Sequence, residues 1–280
     1  MLMASVVTFG RPWVKGIYIT QPTAENSRVL RSLIKTAKQY GINTFVIDFR
    51  RSSRAYRKNI KLVKQNHLHY VARIVVFPHG GTRAQVLSKN YWQRKYRLVE
   101  SALKLGAQEI QLDYIRYRST QRASPHNAQD IYQVIKWFKQ QLMARNIPLQ
   151  IDIFGVASFR HALHIGHNIK LFADSVDVVC PMVYPSHYEP YRKHALIPYH
   201  TVLSSIRRLR AQFNNNPPFK IYPYIELYNY RYALSSAAKI RYIYQQLKAV
   251  EDSHADGWYV WSPTNKYGYL FAVLRSYKLR

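Results

Sequence analysis

The feature that most constrains this chain is an eightfold alternation of two patterns. Short apolar, β-branched runs occupy 14–19, 42–49, 70–77, 108–115, 148–154, 176–183, 219–226 and 256–261. Segments of helical period follow them at 27–40, 54–66, 91–105, 126–145, 159–171, 200–213, 235–251 and 267–277. The short runs have strand length and the longer amphipathic ones helix length. Gly41 and Gly106 stand where helices should stop, and Pro148 and the Pro217-Pro218 pair stand between helix and strand. Regular strand–helix alternation implies parallel strands joined by right-handed crossovers. Eight units predict an α/β fold of the (β/α)8 TIM-barrel type, closed by the first strand near Ile17 meeting the last near Tyr259. An open, doubly wound sheet is the alternative. The 280 residues are close to the ~250 typical of such a barrel, 48% are hydrophobic, and no flexible linker divides them. The expectation is therefore a single-domain barrel over 14–280 behind an N-terminal extension, 1–13. No Gly-rich phosphate loop follows any strand, which argues against a nucleotide cofactor.

In a barrel the chemistry sits at the C-terminal strand ends, and side chains alternate along each strand. In IQLDYI, Ile110 and Leu112 share a face that should meet the helices, which turns Gln111 and Asp113 inward. In QIDIF, Ile151 and Ile153 face out while Gln150, Asp152 and Phe154 face in. Tyr222, Tyr224 and Glu226 share a face of the seventh strand, and Asp48 ends the second in the same manner. The chain holds only 14 acidic residues, so four at strand tops is a pointed use of them, because desolvation makes a barrel mouth a costly place for charge. Asp113, Asp152 and Glu226 are the catalytic candidates. Asp48 is a weaker one, better suited to holding substrate, and ion pairing to Arg50, Arg73 or Arg116 is the competing structural explanation for all four.

Aromatic residues gather near the same ends: Tyr18, Tyr114, Tyr117, Tyr184, Tyr188, Tyr228, Trp258 and Trp261. Flat rings suit the apolar C–H faces of sugars, as they suit nucleobases. Two carboxylates in such a cleft fit glycoside hydrolysis, one protonating the leaving oxygen and the other attacking or activating water. Other chemistries fit worse. No HExxH or paired-histidine strand supports zinc, and Ser186-His187 follows strand six without a nucleophile elbow. No cofactor and no metal is expected. His187 remains a candidate substrate ligand, and the lone Cys180, in VDVVCPMVY, reads as a buried thiol.

The charge is unusual: 42 Lys and Arg against 14 Asp and Glu give +28. Such a field favours nucleic acid, an anionic surface or an acidic polysaccharide. The cations are spread over many helices (Arg28, Arg31, Lys35, Lys38; Arg207, Arg208, Arg210; Lys239, Arg241, Lys248), as on a solvated surface, which disfavours specific nucleic-acid binding. No run has the form of a signal peptide or the length of a membrane span, so the expectation is a soluble, cytoplasmic protein.

In order along the chain, VKGIYIT, INTFVIDFR, ARIVVF, ALKLGAQEIQLDYIRY, IDIFGVAS, VDVVCPMVYPSHY, IYPYIELY and GWYVWSPTNKY carry a resemblance. Over about residues 14–267 the sequence resembles a bacterial and archaeal family of glycoside-hydrolase-type barrel domains, distantly related to the alpha-amylase barrels. The resemblance implies a barrel, a polysaccharide or oligosaccharide substrate, Asp113 in the strand-four motif, Asp152 in the strand-five motif, and Tyr184 and His187 in the strand-six motif. By the alpha-amylase analogy Asp113 would be nucleophile, Asp152 acid/base and Glu226 a third carboxylate. Asp48, Arg73, Arg116, Tyr184, His187 and Trp261 are the substrate-binding candidates at the same barrel mouth. Three departures stand out. The insertion expected after ARIVVF is reduced to PHGGTRAQVLSKNYWQ, Arg118 follows Tyr117 where a proline is expected, and Glu226 occupies a position where a neutral amide is expected. Two rival functions therefore accompany the hydrolase: a catalytically weakened carbohydrate-binding barrel, and a basic protein that binds nucleic acid or an anionic surface on a barrel scaffold.

Overall fold

The computed structural model describes residues 13–279, so the expected N-terminal extension lies, apart from Trp13, outside the described residues. Among the described residues, nine strand segments, all parallel, occupy eight positions around a closed barrel. They are β1 Val14–Ile19, β2 Thr44–Asp48, β3 His69–Val75, β4 Glu109–Asp113, β5 Leu149–Phe154, β6 Val178–Met182, β7 Lys220–Ile221, β8 Tyr224–Glu226 and β9 Gly257–Trp261. Closure is made where β1 meets β9, with Gly16 opposite Tyr259 and Ile17 opposite Val260. β7 and β8 are two pieces of one strand, both paired to β6 and separated by Tyr222-Pro223. Pro223 has no N–H to give to the ladder, which is why the strand is broken there.

Long helices cover the outside: Ser27–Gln39, Arg54–Gln65, Lys89–Lys104, Pro125–Met143, Pro198–Ala211, Ser236–Asp252 and the shorter Gly268–Ser276. Their apolar stripes and the outward strand residues, Ile110, Leu112, Ile151 and Ile153 among them, form the larger core cluster. A second cluster fills the barrel itself and includes Val46, Val71, Cys180, Tyr224 and Tyr259. The Tyr259 ring occupies space that only a glycine at position 16 leaves open, because a Cβ there would lie 2.4 Å from it. Inside the barrel a polar layer is closed on itself. Gln111 donates to Gln150 (3.0 Å), the Tyr224 hydroxyl donates to Gln111 (2.9 Å), and Glu109 joins Gln150 to His69. Cys180 is buried against this layer and burial pushes its thiol pKa up, as expected of an inert structural cysteine.

One expected helix does not form. After β5 the segment 159–171 holds only a helical turn at Ile169–Phe172, preceded by a 3-10 turn at Gly155–Ser158. Gly166 adopts φ +80, which an L side chain rarely tolerates, and a Cβ there would sit 2.6 Å from Asn127 O. Ala162 and His167 pair as an antiparallel bridge, and Asn127 donates to Leu163 O (2.9 Å), so the segment folds down as a loop beside the barrel mouth. The shortened segment after β3 is ordered by a capping box, Thr82 with Gln85, at the short helix Arg83–Val86. No helix among the described residues is long and apolar enough to cross a membrane.

Candidate active site

A cavity of about 320 Å³ opens over the C-terminal ends of the strands. The strands that supply its acids end there for a geometric reason. The alternation that sends Ile110 and Leu112 to the helices turns Asp113 inward, and the same applies to Asp152 in β5. Both line the cavity, together with Arg73, Arg116, Tyr184, His187 and Trp261. Asp48 and Glu226 do not: each is buried behind the wall, at 2% and 0% exposure.

Arg73 organises the acidic side. Its NH1 bonds Asp48, its NH2 bonds Asp113, and its Nε lies 3.7 Å from Asp152. Asp48 also accepts from the Tyr18 hydroxyl at 2.6 Å and faces Arg50 at 3.8 Å, so its carboxylate is spent on holding Arg73 and Tyr18 in place. The Arg73 guanidinium in turn lies over the Tyr18 ring, 5.2 Å from its centroid. One cation thus faces three carboxylates. Asp152 is 3% exposed and its Oδ1 has no hydrogen-bond partner among the described residues. Burial pushes its pKa well up, and the neighbouring Asp113 charge adds to the effect, outweighing the pull of Arg73. Asp113 is held differently, by Arg73 and by the Tyr114 backbone N–H, and Tyr114 adopts a positive φ of 52 immediately after it.

The opposite wall is aromatic. Tyr184 stacks on Trp261 with ring centres 5.4 Å apart and planes at 15°, while Tyr228 meets Trp261 edge-on at 4.6 Å. Tyr188 lines the floor, where its hydroxyl would lie 1.9 Å from a Cβ at position 155, a close approach that Gly155 permits. Two of the aromatic residues grouped at the strand ends lie elsewhere. Trp258 packs in the helix-side core, and the Tyr117 hydroxyl donates to Asp130. Conversely, His167 and Met182 line the cavity although neither stood out in the sequence. His167 falls in the segment read as a helix, and Gly166 was the one sign that the chain turns there.

Glu226 serves the strand-six loop. Its Oε1 accepts the Ser186 backbone N–H (2.9 Å) and the Tyr242 hydroxyl (3.3 Å), and its Oε2 accepts the Ser186 hydroxyl (2.6 Å). Gln246 clamps its backbone from both sides, and Arg231 Nε donates to Ser186 O (2.8 Å). The loop so fixed, 184–187, presents Tyr184 and His187 to the cavity. Burial pushes the Glu226 pKa up to about 8, and its hydrogen bonds from Ser186 only partly oppose this. His187 Nδ1 lies 3.9 Å from Glu226, and burial lowers its pKa. Among the described residues, no group of three or more His, Cys, Asp or Glu side chains is placed to hold a metal ion.

Comparison with solved structures supports the architecture. A class V chitinase from Pseudomonas fluorescens Pf-5 superposes with a TM-score of 0.68 at 13% identity, covering 94% of this chain and 99% of that one. The spore cortex-lytic enzyme SleL of Bacillus cereus gives 0.66 at 14% identity, over 94% and 74%. A chitinase from Chromobacterium violaceum ATCC 12472 gives 0.64 at 11%, over 94% and 98%. At such identities the likeness shows the shared barrel fold. No curated protein matches the sequence. The family model described as "Putative glycosyl hydrolase domain" matches residues 79–267, about two thirds of the chain and the stretch from the loop after β3 to the end of the site, and the protein belongs to that glycoside hydrolase family.

Proposed function

We propose that the protein hydrolyses glycosidic bonds of a polysaccharide or oligosaccharide with Asp152 as the acid and Asp113 as its carboxylate partner. The observation that carries this reading is the pair itself: two carboxyl groups in one cavity, reached by a single guanidinium, in unlike surroundings. Asp152 is desolvated, with a raised pKa and a free Oδ1, the condition of a group that carries a proton to deliver. Asp113 is ion-paired to Arg73, the condition of a carboxylate that acts as an anion. In the reaction, Asp152 gives its proton to the glycosidic oxygen as the C–O bond breaks. Asp113 either attacks the anomeric carbon or takes a proton from the water that does, and water completes the hydrolysis. Tyr184, Trp261 and Tyr228 form the platform on which a sugar ring rests by its C–H face.

A panel of glycans, with chitin first because two of the structurally similar enzymes are named for it, compared between wild type, Asp113→Asn and Asp152→Asn, tests the assignment. Loss of turnover in both variants is expected. Loss in Asp152→Asn alone would replace the pair with a substrate-assisted route, in which an acyl group of the sugar attacks in place of Asp113 while Asp152 still supplies the proton. Binding without turnover in wild type would favour the weakened carbohydrate-binding barrel, consistent with its reduced segment after β3.

A further inference from the structure

The cavity holds a second arginine whose situation is the reverse of Arg73. Arg116 is 9% exposed and lies between two rings, with its guanidinium carbon 5.1 Å from the Tyr114 centroid and 4.9 Å from that of Phe154. Its NH1 donates to Tyr117 O at 2.9 Å, beneath Gly80, where a Cβ would lie 2.8 Å from NH1. No carboxylate of the described residues makes ion-pair contact with it, although the Asp113 charge acts on it from farther off, and its Nε and NH2 make no hydrogen bond among them. Unlike Asp152 Oδ1 and His167 Nδ1, these two donors are not sealed from solvent, so they face the cavity and are open to an acceptor that enters it. His167 stands nearby, 1% exposed, its ring 6.1 Å from Phe154. Its Nε2 faces Ile115 O at 3.3 Å; a carbonyl only accepts, so Nε2 carries the hydrogen. Nδ1 is then an acceptor, and it has no partner. Burial, with the charge of Arg116, holds the His167 pKa near 3, so the ring is neutral.

We propose that Arg116, clamped between Tyr114 and Phe154 with His167 beside it, is an anion subsite of the cavity that takes a carboxylate carried by the sugar, making the substrate an acidic glycan. The proposal rests on the hydrolase reading and narrows its substrate. The planar fork of a guanidinium matches a carboxylate with two parallel N–H bonds, and the two rings fix its plane in advance. Arg73 cannot take this role because Asp48 and Asp113 already occupy its N–H groups. The +28 of the chain then acts in the same sense, drawing an anionic polymer towards the mouth.

The probes are a glucuronic-acid oligosaccharide and the glucose oligosaccharide of equal length and linkage, titrated calorimetrically against the whole chain. Wild type should bind the acidic one at least about tenfold tighter, the effect of a charge-assisted bidentate pair. Arg116→Gln should erase that ratio, and Arg116→Lys should keep only part of it, since a point charge replaces the fork. The double variant Arg28→Gln/Arg31→Gln removes two exposed cations from an outer helix and should leave the ratio in place. A wild-type ratio near one, a ratio that survives Arg116→Gln in a variant of normal Tm, or one lost equally in the outer-helix variant overturns the subsite. So does tighter binding of a phosphorylated than of a carboxylated sugar. Turnover followed in the same samples separates the two ideas: cleavage without acid preference removes the subsite alone, whereas neither binding nor cleavage of any glycan removes both.

Discussion

The β4–β5 edge of the mouth and the β8–β6 edge use the same device for different ends. On the first, Asp113 and Asp152 are turned inward and line the cavity. On the second, Glu226 also follows an inward tyrosine, Tyr224, yet its carboxyl group is taken up by Ser186 and Tyr242 behind the wall. Local differences account for this. Asp is one methylene shorter than Glu, and on the β4–β5 side both carboxyl groups are reached by the cavity's own Arg73, with the Tyr114 backbone N–H on Asp113 as well. On the β8 side, the helix Ser236–Asp252 brings Tyr242 and Gln246 against the strand end, and the strand-six loop brings Ser186, so a longer side chain is captured. A strand-end carboxylate becomes available for chemistry only where no loop claims it.

That contrast breaks most plainly at the pair. Asp113→Asn and Asp152→Asn should each lower kcat by ~10³-fold or more, the scale expected when a positioned acid or its partner is removed. For Asp152 the linkage has a definite sign. Its folded pKa lies above the ordinary aspartate value, so the folded chain holds a proton that the unfolded chain releases, and stability falls as pH rises from ~4 towards that folded value. Asp152→Asn should remove this slope. Thermal melts of both proteins across that range check it, and parallel curves would show that Asp152 titrates normally.

At the other edge the largest effect should be structural. Glu226→Ala leaves the Ser186 N–H, the Ser186 hydroxyl and the Tyr242 hydroxyl without their common acceptor in a site with no exposure, which should cost ~3 kcal/mol. Denaturant unfolding measures this, and a loss of a few tenths would mean the loop is held by Arg231 and backbone contacts instead. Next in size is the aromatic platform. Trp261→Ala removes the ring that stacks on Tyr184 and should weaken glycan binding about tenfold, in line with the ~1–3 kcal/mol of an aromatic stacking contact. A change in kcat with KM unmoved would place Trp261 in the chemistry and not in binding.

The same contrast explains how much of the protein is legible in its sequence. Side-chain alternation is a local property, so the inward facing of Asp113 and Asp152, and the closure of β1 on β9, follow from the residues of single strands and their order. Capture of Glu226 depends on Ser186 and Tyr242, 40 and 16 residues away, and no periodicity records such a meeting. The loop 159–168 shows the same limit: its apolar spacing is compatible with a helix, and the contact of Gly166 with Asn127 decides otherwise. Asp48 lies between these cases, since its inward facing is local but its engagement by Tyr18 and Arg73 is not.

The finest test of the comparison is Glu226→Gln. With a folded pKa pushed up to about 8, Glu226 favours its protonated form at neutral pH, in which Oε2–H donates to the Ser186 hydroxyl instead of accepting from it, and the uncharged group is close in shape and polarity to an amide. The resemblance implies a neutral amide at this position, and burial makes the glutamate neutral in effect. A glutamine should therefore fit, with its carbonyl accepting the Ser186 N–H and its amide donating to the Ser186 hydroxyl, which turns to accept. The sign follows from the raised pKa. The folded wild type keeps a proton that its unfolded chain loses above ~4.3, so wild-type stability declines as pH rises from there to about 8. The variant has no such proton, and its Tm should equal that of wild type near pH ~4 and exceed it increasingly towards pH ~8. Turnover at neutral pH should stay within about threefold, far from the loss at Asp113 or Asp152. A thousandfold loss would return Glu226 to the chemistry, and a Tm difference that does not grow with pH would show that the carboxyl group is ionised where it lies.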